Sequence, residues 1–406
     1  MSVSLFAYKP PFAYSPHLCY NNRMKKILSI NLWYEKYGNK TRAQLKSFRK
    51  LGYATFVATI ADGLTVYVYE LSDGVASSCK DSTVATVEQV NSNCNIVFSK
   101  QCTSYDEAFK TIFEYACEQK FDVIYIRRLM SKLLKASKYI KKASKQIPIA
   151  YEIPTYPLDT GGSFLYAARD FIEMSAYKLV NPYIKKTLVN LIAEMNLPAN
   201  WEVFHNGIDI DDYAQSSYPE LDNTIKFLMV ANISEYHHYE RMLTAMKEYA
   251  NENGEQNKIH LTVISPDSPA YDGLKSQAKD LGIEQMIDFK QSMTMAEIQK
   301  IAKDCHIGVG QLSRSDKGSN LVNTLKSKDY CAMGIPFFST CYDTSFEKDF
   351  EYIYVTEDMD SDIRLDDIIS WYINIRNDVE YRSKMYNYAK NNLQFDKLAK
   401  QVDELT

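Results

Sequence analysis

Lys326 and Asp329 stand three residues apart in the run from Leu325 to Phe338, a spacing that puts an ammonium and a carboxylate on one face of a helix. Leu325, Tyr330 and Met333 give that helix an apolar side, Gly334 falls where a C-cap would close it, and Ile335-Pro336 lead into a strand. A cation and a carboxylate so placed suit a nucleotide diphosphate: the ammonium neutralises phosphate and the carboxylate accepts from ribose hydroxyls. A solvated helix face carrying a weak ion pair has the same pattern.

To serve a ligand, such a helix has to stand at the carboxyl end of a parallel sheet, and the chain has the pattern for two sheets of that kind. Residues 27–32 read as a buried strand, Tyr37-Gly38-Asn39-Lys40 as a loop, and Thr41 as the N-cap of a helix reaching about Leu51. That unit invites an anion at the helix start, with Gly38 in its wall. Strands at 54–60 and 65–69 flank Asp62-Gly63, a hairpin signal. Helices at 105–118 and 131–144 then alternate with strands at 123–126 and 147–151, predicting a parallel sheet covered on both faces. A helical, poorly punctuated stretch runs to Met195, and polar residues up to Asp222 mark a domain boundary. Strand and helix alternation restarts at Phe227 and continues to the helix bearing Lys326, and residues 366–389 are predicted helical. The expected fold is therefore α/β, with two Rossmann-like doubly wound domains facing a cleft: residues 25–210, then 222–379, with the C-terminal helix of about 380–406 packing back on the first.

The chain has 406 residues, 46% hydrophobic and 24% charged, enough for two cores. A net charge of −4 gives no global pull toward nucleic acid. Eight cysteines, with no C-x-x-C pair and no zinc-finger spacing, read as reduced thiols and point to a cytoplasmic location. No apolar run approaches the roughly 20 residues of a membrane span. Residues 1–24 hold Pro10, Pro11 and Pro16 among aromatics, with no charged segment followed by an apolar one, and read as a leader or upstream-start extension.

The run around Lys326 resembles the signature of family-four glycosyltransferases, enzymes of GT-B fold, especially those of bacterial capsule and exopolysaccharide assembly. In that family a Lys three residues before an acidic residue, then Gly and Pro, marks the sugar-nucleotide site. Lys326 falls on the lysine and Asp329 on the second glutamate of the family's Glu, seven residues, Glu motif; the first falls on Leu321 and is missing. The resemblance implies that Asn320 or Ser319 holds the donor sugar instead, or that donor handling differs. Asn206-Gly207-Ile208-Asp209 is similar to the Asn-Gly-Ile-Asp that ends the first domain of these enzymes, although Asn-Gly by itself is just a turn.

Further stretches share the resemblance. Residues 231–241 look like the family's Trp-His-Gly loop, with Tyr236 for the Trp, His237 for the His and His238 for the Gly. Members with the other common pattern place Arg and Lys there against the diphosphate, where this chain has Asn232 and His237. Donor charge would then rest on Lys326, helix N-termini and Arg314 or Lys317. Read as residues alone, the two histidines equally fit a surface loop. Residues 151–157 look like the Glu-Ile-Pro-Thr-Tyr-Pro of capsular transferases. Glu152, at a strand's carboxyl end beside two prolines, is placed to contact an acceptor hydroxyl, or else to cap Gly161-Gly162 or a helix start. Residues 176–186, with Lys141 and Lys142, mix Lys with aromatics, which suits an anionic lipid surface or an ordinary amphipathic helix.

The resemblance implies a retaining transferase that moves a sugar from a nucleoside-diphosphate donor, UDP for choice, to a hydroxyl of a lipid-linked glycan in surface polysaccharide assembly. Its catalytic residues would be Lys326, His237 and Glu152, and its donor-binding residues Asp329, Asn320, Ser319, Asn232, Arg314 and Gly38. No cofactor or metal is expected, because Asp211-Asp212 and Asp366-Asp367 are adjacent rather than spaced. The location would be cytoplasmic, with peripheral contact at the inner membrane face. Leu321 keeps open a second reading, a catalytically silent GT-B partner subunit that binds a transferase or glycan. A sugar-nucleotide epimerase would need acids and a His around the sugar, which the sequence does not locate.

Overall fold

The computed structural model describes residues 23–32, 34–71, 94–157, 164–217, 219–221, 223–254, 258–315 and 320–406. Nearly all of the expected leader lies outside the described residues. The first domain runs β1 (Lys25–Ile30), α1 (Tyr34–Lys50), β2 (Tyr53–Ala61), β3 (Thr65–Leu71), β4 (Cys94–Gln101), α2 (Tyr105–Glu118), β5 (Val123–Arg127), α3 (Leu133–Ala143), β6 (Ile149–Tyr156), α4 (Phe164–Val180), β7 (Lys186–Leu191) and β8 (Trp201–Val203). These strands form one sheet in the order β4-β3-β2-β1-β5-β6-β7-β8. β1, at its centre, pairs in parallel with both β2 and β5, and its Ile27, Leu28 and Ile30 are fully buried. The hairpin at Asp62-Gly63 is present, with β2 and β3 antiparallel and Asp62 and Gly63 at positive φ.

Three sequence expectations change here. The helix expected from Thr41 begins at Tyr34, so Gly38 lies within α1 and not in a loop; its surroundings lie outside the described residues. Burial of Tyr34 against Tyr69, ring centroids 5.9 Å apart, outweighs the roughly 1 kcal/mol that a helical Gly costs. Thr41 is not a cap: its Oγ1 accepts from Asn31 Nδ2 at 2.8 Å. The helical stretch predicted to Met195 ends at α4, and β7 follows, buried between β6 and β8. A short buried strand cannot be told from a helix segment by periodicity.

The second domain runs β9 (Thr224–Val230), α5 (Glu240–Asn253), β10 (Lys258–Ile264), α6 (Pro269–Asp280), β11 (Ile287–Lys290), α7 (Met295–Ala302), β12 (Ile307–Val309), β13 (Leu321–Val322), α8 (Leu325–Met333), β14 (Phe337–Ser339), β15 (Tyr342–Asp343) and β16 (Ile353–Val355). Its sheet order is β11-β10-β9-β12-β14-β16, all parallel, with β13 and β15 paired beside it. Connections run outward one way from β9 and the other way from β12, so the crevice between their carboxyl ends is the topological switch point where such sheets bind ligands.

The predicted single tail helix is two, α9 (Leu365–Ile375) and α10 (Tyr381–Asn392), followed by α11 (Asp396–Asp403). Residues 380–406 therefore divide: α10 packs on α8 of the second domain. α11 buries Leu398, Ala399 and Val402 in the first domain's core, with Leu45, Phe48 and Tyr53. No helix among the described residues is long and apolar enough to cross a membrane.

Candidate functional site

The site is built around α8. Thr324 caps it, its side chain accepting from Ser327 N, and Gly334 closes it in the left-handed conformation at φ 69°. Tyr330 pins the helix over the switch point: its hydroxyl donates to the carbonyls of Leu228 (3.0 Å) and Val309 (3.1 Å) and accepts from Val230 N (3.0 Å). Those carbonyls belong to β9 and β12. Lys326, one turn earlier, is thereby carried to the carboxyl ends of the same two strands.

There Lys326 Nζ donates to Tyr239 Oη at 2.5 Å and Gln311 Oε1 at 3.0 Å and lies 5.1 Å from the centre of the Tyr239 ring. No carboxylate pairs with it among the described residues, and burial pulls its pKa down to about 7. His237 stands beside it: its ring stacks on Tyr239 at 5.1 Å, and its Nδ1 accepts from Ser234 N at 3.2 Å. Burial, reinforced by Lys326, pushes the His237 pKa down to about 3, so the imidazole is neutral. The structure therefore brings Lys326 and His237 together. His237 is buried, not a surface-loop residue.

Asp329 does not pair with Lys326. Its Oδ1 accepts from Tyr213 Oη at 2.5 Å, which ties α8 to the segment linking the domains, and burial raises its pKa to about 6. Its Oδ2 makes no hydrogen bond to the protein among the described residues. Both residues are partly buried, so the solvated-face reading of their spacing does not hold. Between them, Lys328 is fully buried. It donates to Thr324 O at 2.8 Å and lies 3.4 Å from Asp343, which in turn accepts from Thr324 N. Sequence reasoning passed over this pair, although a second Lys in a run that also supplies core residues was a signal.

Glu152 corrects an expectation. Its side chain is completely buried and its carboxylate is occupied by Arg127 Nη1 (2.9 Å), Gln44 Nε2 (3.0 Å), Lys40 Nζ (3.3 Å) and Tyr125 Oη. Burial alone would raise its pKa, but Lys40 and Arg127 outweigh that and hold it down to about 2. No oxygen is left for an acceptor hydroxyl, because the extended α1 brings Lys40 and Gln44 over the strand end. Gly161 and Gly162, the capping alternative, lie outside the described residues.

Lys40, its own pKa lowered to about 8 by burial, also donates to Asn206 Oδ1 at 2.7 Å. Asn206 then bridges the domains: its N–H donates to Asn323 Oδ1 (3.2 Å) and its Nδ2 to Asn323 O (2.9 Å). Asn323 immediately precedes the α8 cap, so the buried Glu152 network reaches the helix of Lys326 through two asparagines. Arg241, also missed, donates to the carbonyls of Leu312 and Met359 at 2.8 Å each and of Ser361 at 2.5 Å, fastening two loops together.

A cleft of about 990 Å³ between the domains is lined by Leu191, Glu194, Val203 and His205 of the first and by Asn320, Leu321, Tyr342 and Thr344 of the second, among others. Asn320 is thus a cleft residue. Arg314 and Asn232 are exposed, and Ser319 and Lys317 lie outside the described residues. Among the described residues no group of three or more His, Cys, Asp or Glu could hold a metal ion.

No protein-family model matches the chain, and no curated protein matches its sequence. Solved structures do. A glycosyltransferase from Rickettsia africae superposes with a TM-score of 0.63 at 12% identity, covering 95% of this chain and 98% of that one. The Anabaena protein HepE, solved with UDP and glucose, superposes with a TM-score of 0.63 at 14% identity over 94% of this chain and 99% of that one. Sucrose-phosphate synthase from Thermosynechococcus elongatus gives a TM-score of 0.58 at 10% identity, covering 94% of this chain and 98% of that one. The fold is GT-B.

Proposed function

We propose that the protein is a glycosyltransferase moving a sugar from a nucleoside-diphosphate donor to a hydroxyl of a glycan acceptor. One observation carries the reading. Among the described residues, Lys326 has no carboxylate partner; it stands at the switch point between β9 and β12, held by Tyr239 and Gln311 beside the start of α8. That is a place for an anion, and a fold shared with a protein solved with UDP and glucose supports a nucleotide sugar as its source. On binding, the diphosphate would draw a proton onto Lys326, and the charge left on the departing nucleotide would be met by that ammonium and by the His237 imidazole. The open Oδ2 of Asp329 is the oxygen available to a ribose hydroxyl.

Retention of configuration, metal independence, UDP as the nucleotide and a lipid-linked acceptor in surface polysaccharide assembly complete the proposal. For membrane contact there is a candidate surface. Helix α4 exposes Phe171 (75%), Ile172 (58%), Leu179 (62%) and Lys178, and the neighbouring α3 exposes Leu134 (54%) and Lys141. Exposed apolar side chains and lysines on neighbouring helices suit an anionic lipid interface.

The test is nucleotide release from a panel of nucleoside-diphosphate sugars, with Lys326→Ala beside the wild type. Loss of a charge-assisted phosphate contact, roughly 1.5–3 kcal/mol, lowers donor binding or turnover about ten- to a hundredfold with the fold intact. Unchanged turnover in the variant refutes the assignment. Leu321, which offers the cleft no carboxylate, favours the alternative of a silent GT-B partner subunit; wild-type protein that releases nucleotide from no donor in the panel would establish that reading instead.

A further inference from the structure

Asn323 settles the protonation of a histidine that faces the cleft. Its Oδ1 accepts from two donors, the Asn206 N–H at 3.2 Å and the Ser345 hydroxyl at 3.0 Å, which leaves no choice about the orientation of its amide. The Nδ2 then points at His205 Nδ1, 2.9 Å away. An amide NH2 can only donate, so Nδ1 is the acceptor and the imidazole proton sits on Nε2. Burial and the neighbouring Lys328 lower the His205 pKa from its ordinary 6.5, which keeps the ring neutral at pH 7.

His205 Nε2 makes no hydrogen bond to the protein among the described residues, and the residue lines the interdomain cleft. The cleft combines apolar side chains, Leu191 and Val203 on the wall of His205 and Leu321 and Tyr342 opposite, with the neutral polar Ser315, Asn320 and Thr344. The charges bordering the cleft, Glu194 and Lys348, are of opposite sign. A neutral N–H beside apolar faces and further neutral hydrogen-bonding groups suits a ligand that is uncharged, carries hydroxyls and has apolar ring faces. We propose that the cleft around His205 is a subsite for a pyranose ring, with His205 Nε2–H donating to one of its hydroxyls. His205 is thus a specificity residue supplied by the first domain and aimed by Asn323 of the second. Assigning that ring to a transferase substrate rests on the proposed function; the subsite itself rests on the geometry.

The experiment titrates wild type, His205→Ala and His205→Gln with UDP, UDP-glucose, UDP-N-acetylglucosamine and the methyl glycosides of glucose and galactose. Sugar contact is read by saturation transfer to the ring protons. Wild type is expected to contact a sugar ring. His205→Ala should weaken that contact about tenfold, and His205→Gln, which keeps a neutral N–H, should recover part of it, while UDP affinity stays within about twofold of wild type. Contact only with UDP-sugars places the donor's ring at His205, and contact with a methyl glycoside places an acceptor's ring there. Glycoside contact that depends on His205 in a protein that does not bind UDP would sustain the subsite and remove the nucleotide-sugar reading. Absence of any ring contact in wild type overturns the proposal, as does contact unaffected by His205→Ala, equal loss of UDP affinity, or a proton found on Nδ1 by nitrogen NMR.

Discussion

Lys326 makes the proposed function testable by pH alone. In the free protein its pKa is about 7 against an ordinary 10.5, because burial disfavours the charged form. A bound diphosphate favours that form and raises the pKa, so at any pH above about 7 binding takes up a proton. UDP affinity is therefore expected to fall as pH rises from 7 to 9, by up to about tenfold per unit, and to be independent of this group below 7. The groups around it do not titrate in that window: His237 sits near 3, and Cys341 and Tyr239 are both raised by burial. Calorimetric titration across the range checks this, and Lys326→Ala should flatten the profile. Asp329 carries the opposite kind of prediction. Its folded pKa, about 6, lies above the ordinary 3.8, so its charge costs stability at pH 7, a cost that fades as pH falls through 6 and is absent below 3.8. Asp329→Asn keeps an acceptor for Tyr213 and removes that cost. Melting temperature at pH 7 should hold or rise while UDP affinity falls, whereas a drop in both would mean that the carboxylate serves the fold.

At the scale of elements, legibility divided along sequence distance. Helix α8 was readable because Lys326, Tyr330, Met333 and the Gly334 cap all lie within one short run, and the strands flanking it alternate with helices in an ordinary way. The role of Glu152 was not, because Lys40 and Gln44 reach it from across the fold, on a helix whose start burial of Tyr34 moved upstream of Gly38. Nor could spacing alone reveal that Asn206 would meet Asn323, or that Asn323 would aim His205. The buried network has its own test. Glu152→Ala leaves Lys40 and Arg127 without their carboxylate in the interior, a loss of about 3–5 kcal/mol in the stability of the first domain. In the wild type, Glu152 is held at about 2 against an ordinary 4.5. Its contribution is complete above pH 4.5 and is lost as pH falls toward 2, so acid unfolding in that interval should be blunted in Glu152→Gln.

Across the whole molecule, the two domains are joined where the chain passes between them twice, side by side. Ile208 N donates to Leu393 O at 2.9 Å, and Ile208 and Gln394 form an isolated bridge. The crossing is so close that a Cβ on Gly207 would lie 2.8 Å from the Gln394 carbonyl carbon and 2.9 Å from Phe395 N, both backbone atoms that cannot swing aside. A turn was the ordinary reading of Asn-Gly; here the glycine is required because two strands of backbone touch. His205 and Asn206, which precede it, hold Asn323, while Phe395, which faces it, begins the helix whose apolar side completes the first domain's core. Gly207→Ala must push these passages apart by some tenths of an ångström, with an overpacking cost of about 1–3 kcal/mol concentrated at the hinge. Lys326 is held by Tyr239 and Gln311, both of the second domain, so UDP affinity should fall less than sugar transfer does. Sugar transfer, which needs both walls of the cleft, should fall, and differential scanning calorimetry should resolve the melting of the first domain at a lower temperature than the second. A single transition at the wild-type temperature would mean that the crossing tolerates a methyl group and that the domains are coupled elsewhere.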